Sequence, residues 1–234
     1  MNLSNFSIDL LEFNGSPRLF TFVNPYSYEL LEESGLVSEF DGIFVDGISL
    51  VVAYNFRHNF AKAKSEKISR FSFDFTSLAP VVLSHCDMNK LNVALIGGTK
   101  EDCDRAKAVI TSKYPTLNLT FSHSGYINSD AETQSVYENL NKAKVDVIIC
   151  GMGTPLQEQF LVNCATNVPS LKFGFTCGGF LSQIADKEDY FDPRMNKLNL
   201  RWLQRFIRHS YVRQRVLKDY PLFFAKFILG KYDN

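Results

Sequence analysis

Several things are missing from this 234-residue chain, and each absence closes a class of function. No two of its five cysteines (Cys86, Cys103, Cys150, Cys164 and Cys177) form a Cys-x-x-Cys pair, so neither a zinc knuckle nor a redox couple is expected. The four histidines, at positions 58, 85, 123 and 209, fall at no ligand spacing, and no metal is expected. No run of about 18 or more apolar residues occurs, so no membrane-spanning helix is expected. The opening MNLSNFSIDLLEF has neither the basic flank nor the long apolar core of a signal peptide. Gly-x-Gly-x-x-Gly followed by an acid about twenty residues on is absent, as is the P-loop pattern, which disfavours a nicotinamide oxidoreductase. Net charge is zero, and no nucleic-acid partner is expected.

What is present is an ordinary globular composition, 45% hydrophobic and 21% charged, long enough for a full core without staples. The 21 Phe and 10 Tyr read as core rather than as a surface for stacking bases. The cysteines sit mostly in or beside apolar segments and read as small hydrophobes in a reducing cytosol. Strand-like runs at Leu19–Asn24, Gly42–Val45, Leu91–Ile96, Leu117–Phe121, Val145–Cys150 and Leu171–Thr176 alternate with segments of helical spacing. Alternation of this kind predicts a Rossmann-like α/β fold, a parallel sheet with helices on both faces.

The stretch VDVIICGMGTPLQEQFL, residues 145–161, carries the most chemistry. A doubly buried strand runs through Gly151-Met152-Gly153 into a helix, whose first N–H groups lie open to an anion. Similar corners occur at Gly97-Gly98 and Gly178-Gly179. One corner of this kind is equally well a tight turn, but three on one parallel sheet point to a nucleotide-type ligand beyond the strand ends. Gln157, one turn into the helix, could read a uracil or sugar edge through its amide, or simply be solvated with Glu158.

Asp102-Cys103-Asp104 resembles a diphosphate-metal motif, yet it falls in the first turn of a helix, where acids complement the dipole. Asp46, ahead of Gly47, reads either as a helix cap or as a general base beside a nucleotide cleft. Asp41 reads as a turn residue. Residues 195–234 hold nine Lys/Arg against two Asp/Glu, a balance of +7 on a body of −7. If Leu200–Leu217 is one helix, Arg201, Arg205, Arg208 and Arg215 share about a quarter of its circumference, a stripe suited to phosphates or an anionic membrane surface. The following YPLFFAKFILGKY is apolar with interspersed Lys, too short to span and suited to an interface. The expected organisation is therefore a domain over 1–194 and a basic helical C-terminal appendage over 195–234.

Taken in order, these pieces resemble the WecG/TagA/CpsF glycosyltransferases (glycosyltransferase family 26) over roughly residues 18–220. Gly151-Met152-Gly153-Thr154-Pro155-Leu156-Gln157-Glu158 is similar to the family's G-x-G-x-P-x-Q-E signature. Thr21-Phe22-Val23-Asn24, Asp46-Gly47-Ile48, Gly97-Gly98, Tyr114-Pro115, Gly125-Tyr126, Gly178-Gly179-Phe180 and Leu200-Arg201-Trp202 with Arg205 follow the family's order. Three places depart from it: Phe22 stands where Thr is common, Leu181 where Asp is, and His209-Ser210-Tyr211 where a Pro-rich turn usually precedes the last arginines.

The resemblance implies inverting transfer from a UDP-sugar to a polyprenyl-diphosphate-linked saccharide in surface-polysaccharide or cell-wall assembly, with no metal and no cofactor. It makes Asp46 the candidate base, with Asn24 and Thr21 beside it. It places Gly97, Gly98, Gly125, Tyr126, Gly151, Gly153, Gln157, Glu158, Gly178 and Gly179 around the donor. It assigns Arg201, Arg205, Arg208, Arg213 and Arg215 to the lipid diphosphate, on a protein peripheral to the inner face of the cell membrane. A catalytically silent nucleotide-sugar-binding scaffold is the alternative, and a homo-oligomer stays open.

Overall fold

The computed structural model describes residues 1, 3–61, 66–186, 206–207 and 210–232. Six of its segments are strands of one parallel sheet: β1 (Arg18–Val23), β2 (Gly42–Val45), β3 (Val93–Gly97), β4 (Leu119–His123), β5 (Val147–Gly151) and β6 (Phe173–Thr176). They lie in the order β2-β1-β6-β5-β3-β4. Parallel neighbours cannot be joined by hairpins, so the chain must cross back over the sheet between strands, and helices make those crossings. They are α1 (Pro25–Glu33), α2 (Ile48–Ala61), α3 (Leu78–Met88), α4 (Lys100–Lys113), α5 (Asp130–Lys142) and α6 (Leu156–Asn167), and α7 (Phe180–Asp186) follows the last strand. The fold is Rossmann-like, as the alternation predicts.

Side chains along a strand point alternately to opposite faces, and here both faces are apolar. In β3, Ala94 and Ile96 join one buried cluster with residues of α1, α2, α5 and α6. Val93 and Leu95 join a second cluster with residues of α3, α4 and α7 on the other face. All five cysteines are buried in these layers. Burial pushes the Cys86 thiol up to about 12 and the Cys103 thiol up to about 11, so both pack as neutral small hydrophobes.

Helix α1 leaves β1 toward the first face, while α7 leaves the neighbouring β6 toward the second. A crevice opens between strands whose following helices diverge, beyond their carboxyl ends. The fold therefore fixes where a ligand can sit before any side chain is considered.

At the C-terminus α8 (Ser210–Gln214) runs through a π-helical stretch (Arg215–Asp219) into α9 (Tyr220–Ile228). The expected boundary at 194/195 and the arginines Arg201, Arg205 and Arg208 lie outside the described residues. The apolar end, expected to suit an interface, turns one face to the core. Phe223, Phe227 and Tyr232 are buried, with Phe223 and Tyr232 edge-on to the buried ring of Tyr28 in α1. Lys226 pairs with Glu29, and Arg57 donates to the Phe227 carbonyl (2.9 Å) while lying over its ring. The reason is periodicity: Phe223 and Phe227, four residues apart, share the helix face that meets α1. The opposite face leaves Leu222, Ile228 and Leu229 exposed.

Removing an aromatic side chain from a closed site strips contacts that neighbours cannot fully recover. Phe223→Ala is expected to lower unfolding free energy by about 3–5 kcal/mol, read by chemical denaturation. A loss under about 1 kcal/mol would mean that α9 is only loosely docked.

Candidate functional site

The carboxyl ends of β3, β5 and β6 meet at backbone distance. A Cβ on Gly97 would lie 2.5 Å from the Gly151 carbonyl oxygen, and one on Gly151 would collide with the Gly178 carbonyl oxygen. Gly125 is packed the same way, its added Cβ falling 2.9 Å from Gly97 Cα. These glycines are needed for close approach of strand ends, which is the bland alternative for such corners. Gly153 (φ +79°) and Gly178 (φ +52°) are different: each has open space where a Cβ would be, and each lines a cleft of about 520 Å³.

The cleft is walled by Gly98, Gly125 and Tyr126 on one side, by Gly151–Thr154, Gln157 and Gly178–Phe180 in the middle, and by Asn24, Tyr26, Asp46 and Arg70 on the other. Among the helix starts around it, those of α4, α1 and α6 differ in chemistry. The start of α4 is closed by its own side chains, since Thr99 Oγ1 accepts from Asp102 N–H and Asp102 Oδ2 accepts from Thr99 N–H. The same Oδ2 accepts from Ser182 Oγ (2.9 Å), and Asp104 is exposed elsewhere on the helix. The two acids of Asp102-Cys103-Asp104 therefore do not converge. The start of α1 is closed by a capping box between Asn24 and Ser27. Of these three, the start of α6, after Gly153 and Pro155, is the one with no side-chain cap, the condition for a helix end to meet an anion, although its Gln157 N–H turns back to the Gly153 carbonyl (3.0 Å).

Asn24 lines the cleft, but its Oδ1 already accepts from Tyr26 N–H (3.0 Å) and Ser27 N–H (3.2 Å). A contact from its side chain to a ligand must therefore be made by the amide NH2. Thr21 does not reach the cleft. It is fully buried in β1, where its hydroxyl lies 2.8 Å from Glu158 Oε1 and 2.9 Å from Thr176 Oγ1. Glu158 is equally buried, beneath the floor, and its Oε1 also accepts from Thr154 Oγ1 and from the Gln157 amide. Gln157 is thus held from below. Burial raises the Glu158 pKa above its usual 4.5, against the opposing hydrogen bonds from Gln157, Thr21 and Thr154.

Asp46 sits just past β2, at the same edge as the glycine corners. Its backbone N–H is bonded to the Val23 carbonyl, 2.8 Å away. Gly47, not Asp46, supplies the carbonyl that takes the first N–H groups of α2, from Leu50 and Val51. The Asp46 carboxylate is instead gripped by Arg70: Nη2 donates to Oδ1 at 2.8 Å and Nε to the Asp46 carbonyl at 2.7 Å. Asp41 lies at the opposite end of β2, where it takes the Leu19 N–H and pairs with Arg18.

Arg70, Ser72 and Asp74 all line the cleft, and sequence reasoning passed over them. The signal was the alternation in Arg70-Phe71-Ser72-Phe73-Asp74-Phe75, a period of two that puts the polar residues on one side of an extended segment. Phe71 packs on Phe44, and Phe73 on Phe22, Phe175 and Phe180. From the C-terminal run, Val212, Arg215, Val216 and Tyr220 close the cleft, with the Arg215 guanidinium 4.1 Å over the Tyr26 ring. Arg213 points away, exposed and bonded to the Phe206 and Ile207 carbonyls. Phe22 lines the cleft, and Leu181 is buried under it.

This is the architecture of a Rossmann-like α/β protein with a polar, glycine-rimmed cleft at the carboxyl edge of its sheet, the place where such folds hold nucleotide ligands. The chain belongs to the glycosyl transferase WecG/TagA/CpsF family, whose model matches residues 12–234. It is 38% identical over 219 residues to a UDP-Gal:alpha-D-GlcNAc-diphosphoundecaprenol beta-1,4-galactosyltransferase of Shigella boydii, covering 94% of this chain and 89% of that one. It is 28% identical over 196 residues to an N-acetylglucosaminyldiphosphoundecaprenol N-acetyl-beta-D-mannosaminyltransferase of Staphylococcus aureus (strain MRSA252), covering 84% and 72%. The chain is thus a glycosyltransferase by family.

The buried acid under the cleft has a measurable signature. A carboxyl whose folded pKa is raised binds more protons folded than unfolded between the two values. Stability therefore falls as pH climbs from about 4.5 toward the folded value and is flat above it. Glu158→Gln has no such proton. The stability of the variant minus that of the native chain should rise between pH 4 and pH 7 in denaturation curves. A difference independent of pH would contradict the raised pKa.

Proposed function

We propose that the protein transfers a hexose, with inversion, from a UDP-sugar to a polyprenyl-diphosphate-linked N-acetylglucosamine during assembly of a cell-surface glycan. The observation that carries this reading is the placement of the Asp46 carboxylate. It is clamped by Arg70, in the same cleft as the open glycine corners and the uncapped start of α6. Both relatives are named for β-linked transfer from or onto diphosphate-activated sugars. A donor sugar α-linked to its diphosphate must invert to give a β-linked product.

The residues then have separable tasks. Asp46 takes the proton from the acceptor hydroxyl, which attacks the anomeric carbon from the face opposite UDP. The departing diphosphate carries negative charge. In this reading the start of α6, the backbone at Gly153 and the Arg215 guanidinium compensate it without a metal. Tyr126 and Gly125 border the nucleoside end, and Gln157 and Gly178-Gly179 the middle of the donor. The Asn24 amide turns toward the acceptor. Thr21 and Glu158 act from beneath, holding Gln157 and the Thr154 turn rather than touching substrate.

For this reaction, calorimetry in EDTA is expected to give the same UDP-galactose affinity for the native chain and Asp46→Asn. Turnover of the variant on a lipid-diphosphate acceptor should fall by about 10²–10⁴. An active Asp46→Asn enzyme removes the base assignment, and binding that vanishes in EDTA removes the metal-free one.

The acceptor is a lipid, and among the described residues no helix is long and apolar enough to cross a membrane. We place the protein as a peripheral one on the inner face of the cell membrane. The basic appendage from residue 195 onward and the exposed Leu222, Ile228 and Leu229 would meet anionic lipid there. Co-sedimentation with anionic vesicles should be strong at low salt, weaker at high salt, and reduced when these three residues are changed to Ser. Indifference to anionic vesicles at low salt sinks this placement.

A further inference from the structure

Asp46 has its main-chain N–H fixed by the Val23 carbonyl, while its carboxylate stands on two rotatable side-chain bonds. Something must hold it where an acceptor hydroxyl arrives. Arg70 does so by binding the carbonyl and Oδ1 of the same residue, which closes a ring through the side chain. That moves the question to Arg70, a long side chain with several free torsions of its own.

The answer lies two and four residues further on. Arg70 Nη2 also donates to Ser72 Oγ, at 2.9 Å. A serine hydroxyl has a single proton, and here it is given to Asp74 Oδ2, 2.7 Å away. With its proton committed, Ser72 can present only a lone pair to Arg70, which is what a guanidinium needs. Asp74 is itself pinned, being 6% exposed with Oδ1 accepting from the Thr76 N–H at 2.8 Å and from the Thr76 hydroxyl. Each link has one polarity, and the chain runs from the buried Asp74 to the carboxylate in the cleft.

We propose that Ser72 and Asp74 are positioning residues for the reaction, acting through Arg70 to set the orientation of the Asp46 carboxylate. This rests on the reading of Asp46 as the base. The two phenylalanines between them serve the same end. Phe71 and Phe73 are packed on the sheet-side aromatics Phe44 and Phe175, which anchors the segment that carries Ser72 and Asp74 at the cleft. A displaced reacting group costs rate out of proportion to the displacement, so loosening this chain should act on turnover and not on donor affinity.

The test uses the full chain, with kcat measured on a lipid-diphosphate acceptor and UDP-galactose affinity by calorimetry. Ser72→Ala should lower kcat by about 10–100-fold with donor affinity within about two-fold. Ser72→Thr, which keeps a hydroxyl, should restore most of it, and Asp74→Ala should match Ser72→Ala. The decisive comparison is in the Asp46→Asn background. There Ser72→Ala should add no further loss to the residual rate, because the residue it serves is gone. Native-like kcat for Ser72→Ala beside an inactive Asp46→Asn overturns the positioning role and leaves the base intact. So does an equal loss in both backgrounds, which would mean that Ser72 acts elsewhere. An active Asp46→Asn is a different failure, that of the base assignment itself.

Discussion

Where β3, β5 and β6 end, three glycine backbones touch, and the working part of the molecule is arranged around that contact. Gly97 has no room for a Cβ against Gly151, and Gly151 has none against the Gly178 carbonyl. Only because the strands close to this distance do the turns above them converge on one cleft. A side chain at Gly97 or Gly151 would wedge β5 from its neighbours and move the start of α6, with Gly153, Thr154 and Gln157. The glycines with open space, Gly153 and Gly178, can face a ligand because the crowded ones hold the floor still.

Beneath that floor lies a polar layer unusual for a parallel sheet. Thr21 of β1, Thr176 of β6 and Glu158 of α6 bond to one another with no exposed surface. Burying an acid costs free energy unless its oxygens are bonded or it stays protonated. Here one oxygen takes donors from Thr21, Thr154 and Gln157, and the pKa moves upward. The cost is accepted where it ties the glycine turn to the neighbouring strands, which is also where the cleft-lining Gln157 is seated.

The C-terminal run joins two tasks that the charge distribution alone would keep apart. A basic tail on an acidic body suggests attraction to something anionic outside the molecule. The tail first satisfies the body: Lys226 and Lys231 lie against Glu29, Phe223 and Phe227 fill a hydrophobic seat on α1, and Arg215 stacks on Tyr26 at the cleft. Docking by the aromatic face orients the other face outward, so the exposed Leu222, Ile228 and Leu229 follow from the same helical period.

Much of this was legible in the chain because it depends on neighbours in sequence. Strand and helix patterns are local, set by periods of 2 and 3.6, and they placed the α/β alternation and the parallel sheet. Strand boundaries moved by one or two residues, as at β4 and β5, because pairing with neighbouring strands sets where a strand ends. The glycine turns and the position of Asp46 after a short strand were equally local. What only the tertiary structure decided was partnership. Sequence could not tell that Gly97 and Gly151 are crowded while Gly153 and Gly178 are open, since the difference lies in a strand more than twenty residues away. It could not tell that Thr21 lies under the cleft rather than in it, because its partners are 137 and 155 residues on. Nor could it join Asp46 to Arg70, 24 residues later, through an extended segment whose alternation carries no strand pairing beyond a single bridge. Hydrogen bonds need atoms within about 3 Å, and only the folded backbone sets distances on that scale between residues so far apart along the chain.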